Sequence, residues 1–270
     1  MKDRYGREID YLRISITDRC NLRCIYCMPE EGICQTAHKE ILTYDEIRRI
    51  CRCMTALGIK KIKLTGGEPL TRKDSAVLVR MLKELPGIEK VTLTTNGILL
   101  KEQMAELAEA GIDNINISLD TLNTEAFQKI TRREGLTRVL EGLKEAMKYP
   151  QIGLKINCVP VLEDPENLIN LAGIARDNPI HVRFIEMMPI GYGKEFRFCG
   201  EDEICSVLEG AYGEMTPITE KYGNGPCHYY KISGFQGKIG FISAMTHKFC
   251  SQCNRVRMPS EGYLEACLHY

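Results

Sequence analysis

No sign of charge prevails in this sequence: Lys+Arg and Asp+Glu number 36 each among 270 residues. A chain so balanced has no basic field to draw it onto nucleic acid or anionic lipid, so neither partner is expected. Any charged ligand must be held by a local cluster. The first ten residues, MKDRYGREID, contain no apolar stretch of signal-peptide type. No run approaches 18 uncharged apolar residues, which leaves no membrane span. Internal repeats and low-complexity tracts are missing too. What is there, 44% hydrophobic and 27% charged residues, is the mix of a globular protein with a sizeable core, and a cytoplasmic location is expected.

Cysteine is the exception to this ordinary texture. The chain has 13, an odd number, and in a reducing compartment clustered cysteines more often bind metal or do redox chemistry than form disulfides. Six fall into two tight groups at opposite ends of the chain: Cys20, Cys24 and Cys27, then Cys250, Cys253 and Cys267. The other seven are scattered, and ordinary burial as small apolar residues is expected for them.

The first two thirds alternate strand-like and helix-like segments with a period near 30 residues. Strands are expected over Tyr11–Thr17, Lys61–Thr65, Lys90–Thr95, Asn114–Leu119, Gly153–Val159 and His181–Met187, each rich in β-branched or aliphatic residues. Amphipathic helices are expected over Thr43–Leu57, Lys73–Leu85, Lys101–Ala110, Gly135–Tyr149 and Glu166–Asp177, the first opened by a Thr43…Glu46 capping box. This alternation implies βα units and a parallel sheet, either open and doubly wound or a partial barrel. In both, active residues sit on loops at the carboxyl ends of strands. After Pro189, glycines break the chain into short pieces, with a hairpin expected from Tyr229–Ser233 and Lys238–Ser243. A boundary is therefore placed near residue 190, with a smaller accessory region over 191–270.

Cys20-Asn-Leu-Arg-Cys24-Ile-Tyr-Cys27 is C-x3-C-x2-C. A zinc site wants four ligands, whereas three thiolates on a cubane of four irons leave one iron open. Offsets of 0, 4 and 7 would also mark one face of a buried helix, but Asp18, Arg19 and Arg23 directly after a strand argue for a loop. Cys250-Ser-Gln-Cys253 with Cys267 again offers three thiols, and His247 or His269 is available to complete a zinc site. Zinc and a cluster suit this second group about equally. The arginines that follow, Arg255 and Arg257, favour the cluster beside an anionic ligand: alternate residues of an extended segment face one way, so two guanidinium forks point together. Without the neighbouring cysteines, a solvated edge strand would be the better reading of this pair.

C-x3-C-x2-C with Tyr26 before its third cysteine, and Thr65-Gly66-Gly67-Glu68-Pro69, resemble the radical S-adenosylmethionine (SAM) superfamily. Residues 12–20, 118–122, 155–157, 183–186 and 249–257 resemble, more narrowly, the GTP 3′,8-cyclase family, over nearly the whole chain. The resemblance implies a partial (β/α)6 barrel over 1–190 and a C-terminal region over 191–270 that carries a second cluster. It implies two [4Fe-4S] clusters, on Cys20, Cys24 and Cys27 and on Cys250, Cys253 and Cys267, with SAM as cofactor and GTP as substrate. The reaction implied is cyclisation to 3′,8-cyclo-7,8-dihydro-GTP, the first step of molybdenum cofactor biosynthesis. An electron donor is needed, and a cyclic pyranopterin monophosphate synthase would take the product.

The same resemblance places Tyr26, Gly67, Ser118 and Met188 at SAM, and Arg183 near its carboxylate. It places Arg13, Lys63, Thr94, Lys155, Arg255, Val256 and Arg257 at GTP, whose charge of about −4 a neutral chain must meet locally. Arg13, Lys63 and Lys155 lie within apolar strands, where an unpaired charge is costly. They therefore imply a cavity or, otherwise, a salt bridge to a carboxylate such as Glu186. Position 63 is arginine in many relatives; lysine keeps the charge and loses the bidentate contact. Relatives continue for tens of residues past the third C-terminal cysteine to a terminal glycine pair, while this sequence stops at Leu268-His269-Tyr270. The expectation is that it binds both clusters and SAM but cyclises GTP poorly. Other readings are a peptide-modifying two-cluster radical SAM enzyme and a non-catalytic iron–sulfur protein.

Overall fold

The structure, a computed structural model, describes residues 2–161, 164–197, 199–220 and 222–267. Six βα repeats come first. Their strands are β1 (Tyr11–Ser15), β2 (Lys61–Thr65), β3 (Lys90–Thr95), β4 (Asn114–Ser118), β5 (Gly153–Cys158) and β6 (His181–Ile185). Between them run α1 (Tyr44–Ala56), α2 (Ser75–Lys83), α3 (Leu100–Glu109), α4 (Thr124–Thr131), α5 (Leu136–Ala146) and α6 (Pro165–Asp177). The capping box forms as expected: the Glu46 amide donates to Thr43 Oγ1 at 3.2 Å, and the Thr43 amide donates to Glu46 Oε2 at 2.7 Å. The short helix α4 has no counterpart in the sequence expectation. Asn123 starts it by accepting the Ala126 amide at 2.9 Å, and Phe127 and Ile130 bury its inner face.

The remaining elements are α7 (Glu201–Tyr212), β7 (Met215–Ile218), β8 (His228–Ile232), β9 (Ile239–Ile242) and β10 (Arg255–Met258). The glycine-rich texture after Pro189 does not break the chain as far as expected. Twelve residues of α7 stay helical because Gly210 faces open space near the end, while Ile204 and Leu208, four apart, bury one face. All strands join one sheet in the order β10-β1-β2-β3-β4-β5-β6-β9-β8-β7. Residues after 190 thus extend the six-stranded sheet on both sides, with β9 parallel to β6 and β10 parallel to β1. The expected hairpin is the antiparallel β8–β9 pair.

The sheet curls. In a flat sheet β2 and β6, four strands apart, would lie roughly 19 Å from each other. Yet Lys63 on β2 feels the charges of Arg183 on β6 and Arg255 on β10. Alternation along the strands divides the side chains between two layers. Leu12, Ile14, Ile62, Leu64, Ile115, Ile117, Ile156, Val182 and Phe184 join the apolar layer under the helices and are almost fully buried. The residues between them line the concave face. No helix among the described residues is long and apolar enough to cross a membrane.

Candidate functional site

At the carboxyl ends of the strands, residues 16–28 form a loop with a turn at 25–27, not a helix. The loop is clamped to the end of α4: the amides of Arg23 and Ile25 donate to the carbonyls of Thr131 and Ile130, each at 2.9 Å. Arg132 caps α4 in the left-handed region (φ 54°) and donates to the carbonyls of Arg23 at 3.2 Å and Met28 at 3.0 Å. The three thiols lie near one another here. Those of Cys24 and Cys27 share a hydrogen bond that pushes Cys24 up and Cys27 down, and burial raises the nearby Cys20.

The Gly-Gly-Glu-Pro loop lies directly against this segment. The amides of Gly67 and Glu68 donate to the carbonyls of Thr17 and Arg19, both at 2.8 Å. A Cβ on Gly67 would stand 2.4 Å from the Arg19 carbonyl oxygen, so in this chain the glycine permits two backbones to touch. Glu68 is buried and accepts from Thr95 Oγ1 at 2.7 Å and from the amides of Asn96 and Leu70 at 2.6 and 3.0 Å. Ser118 closes β4 and shares a small pocket with Cys24, Tyr26, Asn96 and Asp120. Tyr26 donates its hydroxyl to Asp120 Oδ2 at 2.6 Å. Met188 follows β6 at the same end.

Below this end, cations line the concave face. Register places Arg13 between Lys63 and Arg257, Arg255 beside Tyr11, and Thr94 beside Asn116, which in turn neighbours Lys155. Arg183 lies beside Asn157 and donates to Asn116 Oδ1 at 2.8 Å and to Asn157 Oδ1. Lys155 donates to Asn114 Oδ1 at 2.8 Å, and Arg13 to Thr65 Oγ1 at 3.3 Å. Asn114 has this room because the adjacent residue is Gly153, where a Cβ would collide with it at 2.3 Å.

Among the described residues none of Arg13, Lys63, Lys155, Arg183, Arg255 and Arg257 is in an ion pair with a carboxylate. Glu186, the expected alternative partner, instead accepts the amides of Met245 and Thr246 at 2.8 and 3.0 Å. The electrostatic consequence is plain. Burial, then Arg183, Arg13, Lys155 and Arg255, push Lys63 well below the usual lysine range. Burial, Arg183 and Lys90 lower Lys155 to about 7, while burial, Arg13 and Arg255 lower Arg257 to about 10. The Nε atoms of Arg183 and Arg255 are buried without a hydrogen-bond partner among the described residues.

Val256 is not part of this lining. It pairs with Leu12 on the opposite face of β10, and its side chain joins the core under the helices. Alternation along a strand excludes it from the side on which Arg255 and Arg257 stand. Asn114, Asn116 and Asn157 do belong to the lining, although the sequence reading passed over them. Their signal was visible: amides at alternate positions of otherwise apolar strands.

Cys250 and Cys253 lie at the amino end of β10, whereas the first cysteine group lies beyond the carboxyl end of the parallel β1. The Cys253 amide donates to the Cys250 carbonyl at 3.3 Å. A two-way backbone bridge between Arg257 and Glu265, 2.9 Å each way, returns the chain so that Cys267 and Cys253 both lie near Arg257. Burial acts to raise the Cys253 thiol, but the Arg255 amide and guanidinium, with Arg7, hold it below its ordinary value. His247 is engaged elsewhere, with Thr246 Oγ1 at 3.0 Å and Glu201 at 3.5 Å. His269 and the rest of 268–270 lie outside the described residues. Among the described residues, no three His, Cys, Asp or Glu side chains converge tightly enough for a single metal ion.

A parallel, curled βα sheet with three thiols and a Gly-Gly-Glu-Pro loop at its carboxyl end is the architecture of a radical SAM protein. The radical SAM superfamily profile matches residues 14–173, and that of Molybdenum Cofactor Synthesis C matches residues 180–270. GTP 3′,8-cyclase of Clostridium perfringens (strain 13 / Type A) is 45% identical over 272 residues, all of this chain and 84% of that protein. The GTP 3′,8-cyclase of Pelotomaculum thermopropionicum is 42% identical over 273 residues, again all of this chain and 84% of its own. Among solved structures, Streptococcus suis SuiB bound to S-adenosylmethionine superposes with a TM-score of 0.70 at 19% identity. That match covers 97% of this chain and 60% of SuiB. A methylornithine synthase gives 0.57 at 20% identity, over 77% of this chain and 64% of its own. This chain belongs to the GTP 3′,8-cyclase family of the radical SAM superfamily. Membership implies SAM and a [4Fe-4S] cluster, and the three thiols on the loop after β1 suit a cluster with one open iron.

Proposed function

We propose that this chain cyclises GTP to 3′,8-cyclo-7,8-dihydro-GTP, the first step of molybdenum cofactor biosynthesis. The observation that carries the reading is the cationic lining, without carboxylate partners among the described residues, set between two groups of three thiols on one curled sheet. A polyanion such as a nucleoside triphosphate is what such a lining would stabilise. Cys20, Cys24 and Cys27 would hold the first [4Fe-4S] cluster, and Cys250, Cys253 and Cys267 a second, each with one iron left for a ligand. Bound cluster and SAM supply the one-electron chemistry; the protein contributes position, electrostatics and exclusion of water.

Residues 1–190 would serve SAM, with Tyr26, Gly67, Ser118 and Met188 around it, and 191–270 would hold the base end of the substrate. Arg13, Lys63, Lys155, Arg255 and Arg257 would take the phosphates, and Thr94 would add a hydroxyl. Arg183, held by Asn116 and Asn157, would present its guanidinium between the two ligands. A reductant must deliver the electron, and a cyclic pyranopterin monophosphate synthase would consume the product. Anaerobic reconstitution followed by SAM, reductant and GTP tests the reading. The expected result is 5′-deoxyadenosine together with the cyclised nucleotide; absence of 5′-deoxyadenosine from fully loaded protein would sink it.

A further inference from the structure

Arg7 lies outside the sheet, in a turn that precedes β1. Asp3 builds the turn: its Oδ1 accepts the amides of Tyr5 and Arg7, each at 2.9 Å, and its Oδ2 accepts Arg7 Nε at 2.7 Å. Both side chains are about four-fifths buried, with exposures of 20% and 19%. The guanidinium so fixed crosses the whole chain in sequence and donates from Nη1 to the Cys250 carbonyl at 3.2 Å. Cys253 and Cys250 both lie within electrostatic reach of it. A second clasp stands beside it: the amides of Asp10 and Tyr11 donate to the Asn254 carbonyl, and Asn254 Nδ2 returns a bond to Asp10 Oδ1 at 2.6 Å. The cysteine turn is therefore gripped on both flanks by the first eleven residues.

We propose that Arg7 is a positioning residue for the C-terminal thiol group. It holds the Cys250–Cys253 turn through the Cys250 carbonyl and places a fixed positive charge beside thiolates that carry a cluster, with Asp3 orienting it. The inference rests on the reading that Cys250, Cys253 and Cys267 bind that cluster. A cation held against cluster-ligating sulfurs favours the reduced, more negative form, and groups behind metal ligands typically change affinity about 10–100-fold when removed.

The test uses the full chain, reconstituted anaerobically, with Arg7→Gln, Arg7→Lys and Asp3→Asn. Iron and sulfide content, iron release to a chelator and midpoint potentials of both clusters by EPR-monitored titration are read. Arg7→Gln is expected to shift only the C-terminal cluster to a more negative potential and to speed its iron release about tenfold. Arg7→Lys should restore the potential, and Asp3→Asn should speed release from the same cluster. Unchanged potential and release in Arg7→Gln, or a lysine variant as impaired as the glutamine one, would overturn the proposal. Loss of both clusters in Arg7→Gln and Asp3→Asn alike would assign the turn to folding and overturn it too. Parent protein that binds four irons instead of eight would refute the second cluster itself, an outcome visible before any variant is made.

Discussion

Lys155 shows what the cationic lining costs a single residue. Its side chain is only 4% exposed, and its one hydrogen bond among the described residues is to an amide oxygen. With a pKa of about 7 in the folded chain against 10.5 ordinarily, the folded state binds fewer protons than the unfolded one between those values. Stability therefore rises with pH across that window, and the penalty is fully present below pH 7. Lys155→Met should stabilise the ligand-free chain by about 1–3 kcal/mol at pH 6. The gain should fade toward pH 10.5, as measured by denaturant melts along a pH series. A pH-independent gain would assign the effect to packing. Gly67 makes a different point at the same scale. The motif marked this glycine in the sequence, yet its reason for being glycine, the Arg19 carbonyl in the way of a Cβ, depends on a loop whose path no local pattern records. Gly67→Ala meets backbone that cannot swing aside. It should cost about 2 kcal/mol or more and lower the iron retained by Cys20, Cys24 and Cys27; iron analysis and thermal melting check both.

The six repeated strands were legible in the sequence because strands buried under helices write long β-branched runs. The polar residues interrupting those runs, Arg13, Lys63 and Lys155, were legible as misplaced charge for the same reason, and the structure sets them on the concave face. What no period announces is β10 beside β1, a pairing between Tyr11 and Arg255 that only the folded chain creates. That pairing sorts β10 by face. Arg255→Ala with Arg257→Ala should weaken GTP by roughly 1.5–3 kcal/mol for each lost charge-assisted contact, with guanosine binding unchanged. Val256→Asn, on the other face, should do the reverse. It places an amide against Leu12 in the core and should cost about 1–3 kcal/mol of stability, with the preference for GTP over guanosine intact. Calorimetric titration beside denaturant melts separates the two, and an asparagine variant that lost that preference would return Val256 to the lining. Helix α7 was missed for a related reason. Glycine is a poor helix former, but one that touches nothing and sits near a helix end takes little away.

For the whole molecule, zero formal net charge hides a separation of charge. Carboxylates are held in pairs such as Lys61–Asp10 and Lys83–Asp113, at 2.6 and 2.8 Å, while among the described residues the cations of the concave face have none. The field outside is then a local one, set by the concave face. Salt screens exposed charges within about 10 Å at 0.1 M and about 3 Å at 1 M, but reaches buried pairs much less. GTP should therefore associate more slowly as salt rises, with its dissociation rate nearly unchanged, whereas guanosine should respond in neither rate. Stopped-flow measurement over a tenfold range of ionic strength reads both constants. A dissociation rate that climbed in step with salt would place the phosphates at the solvated rim, and the lining formed by Arg13, Lys63 and Lys155 would then have to hold something other than the triphosphate.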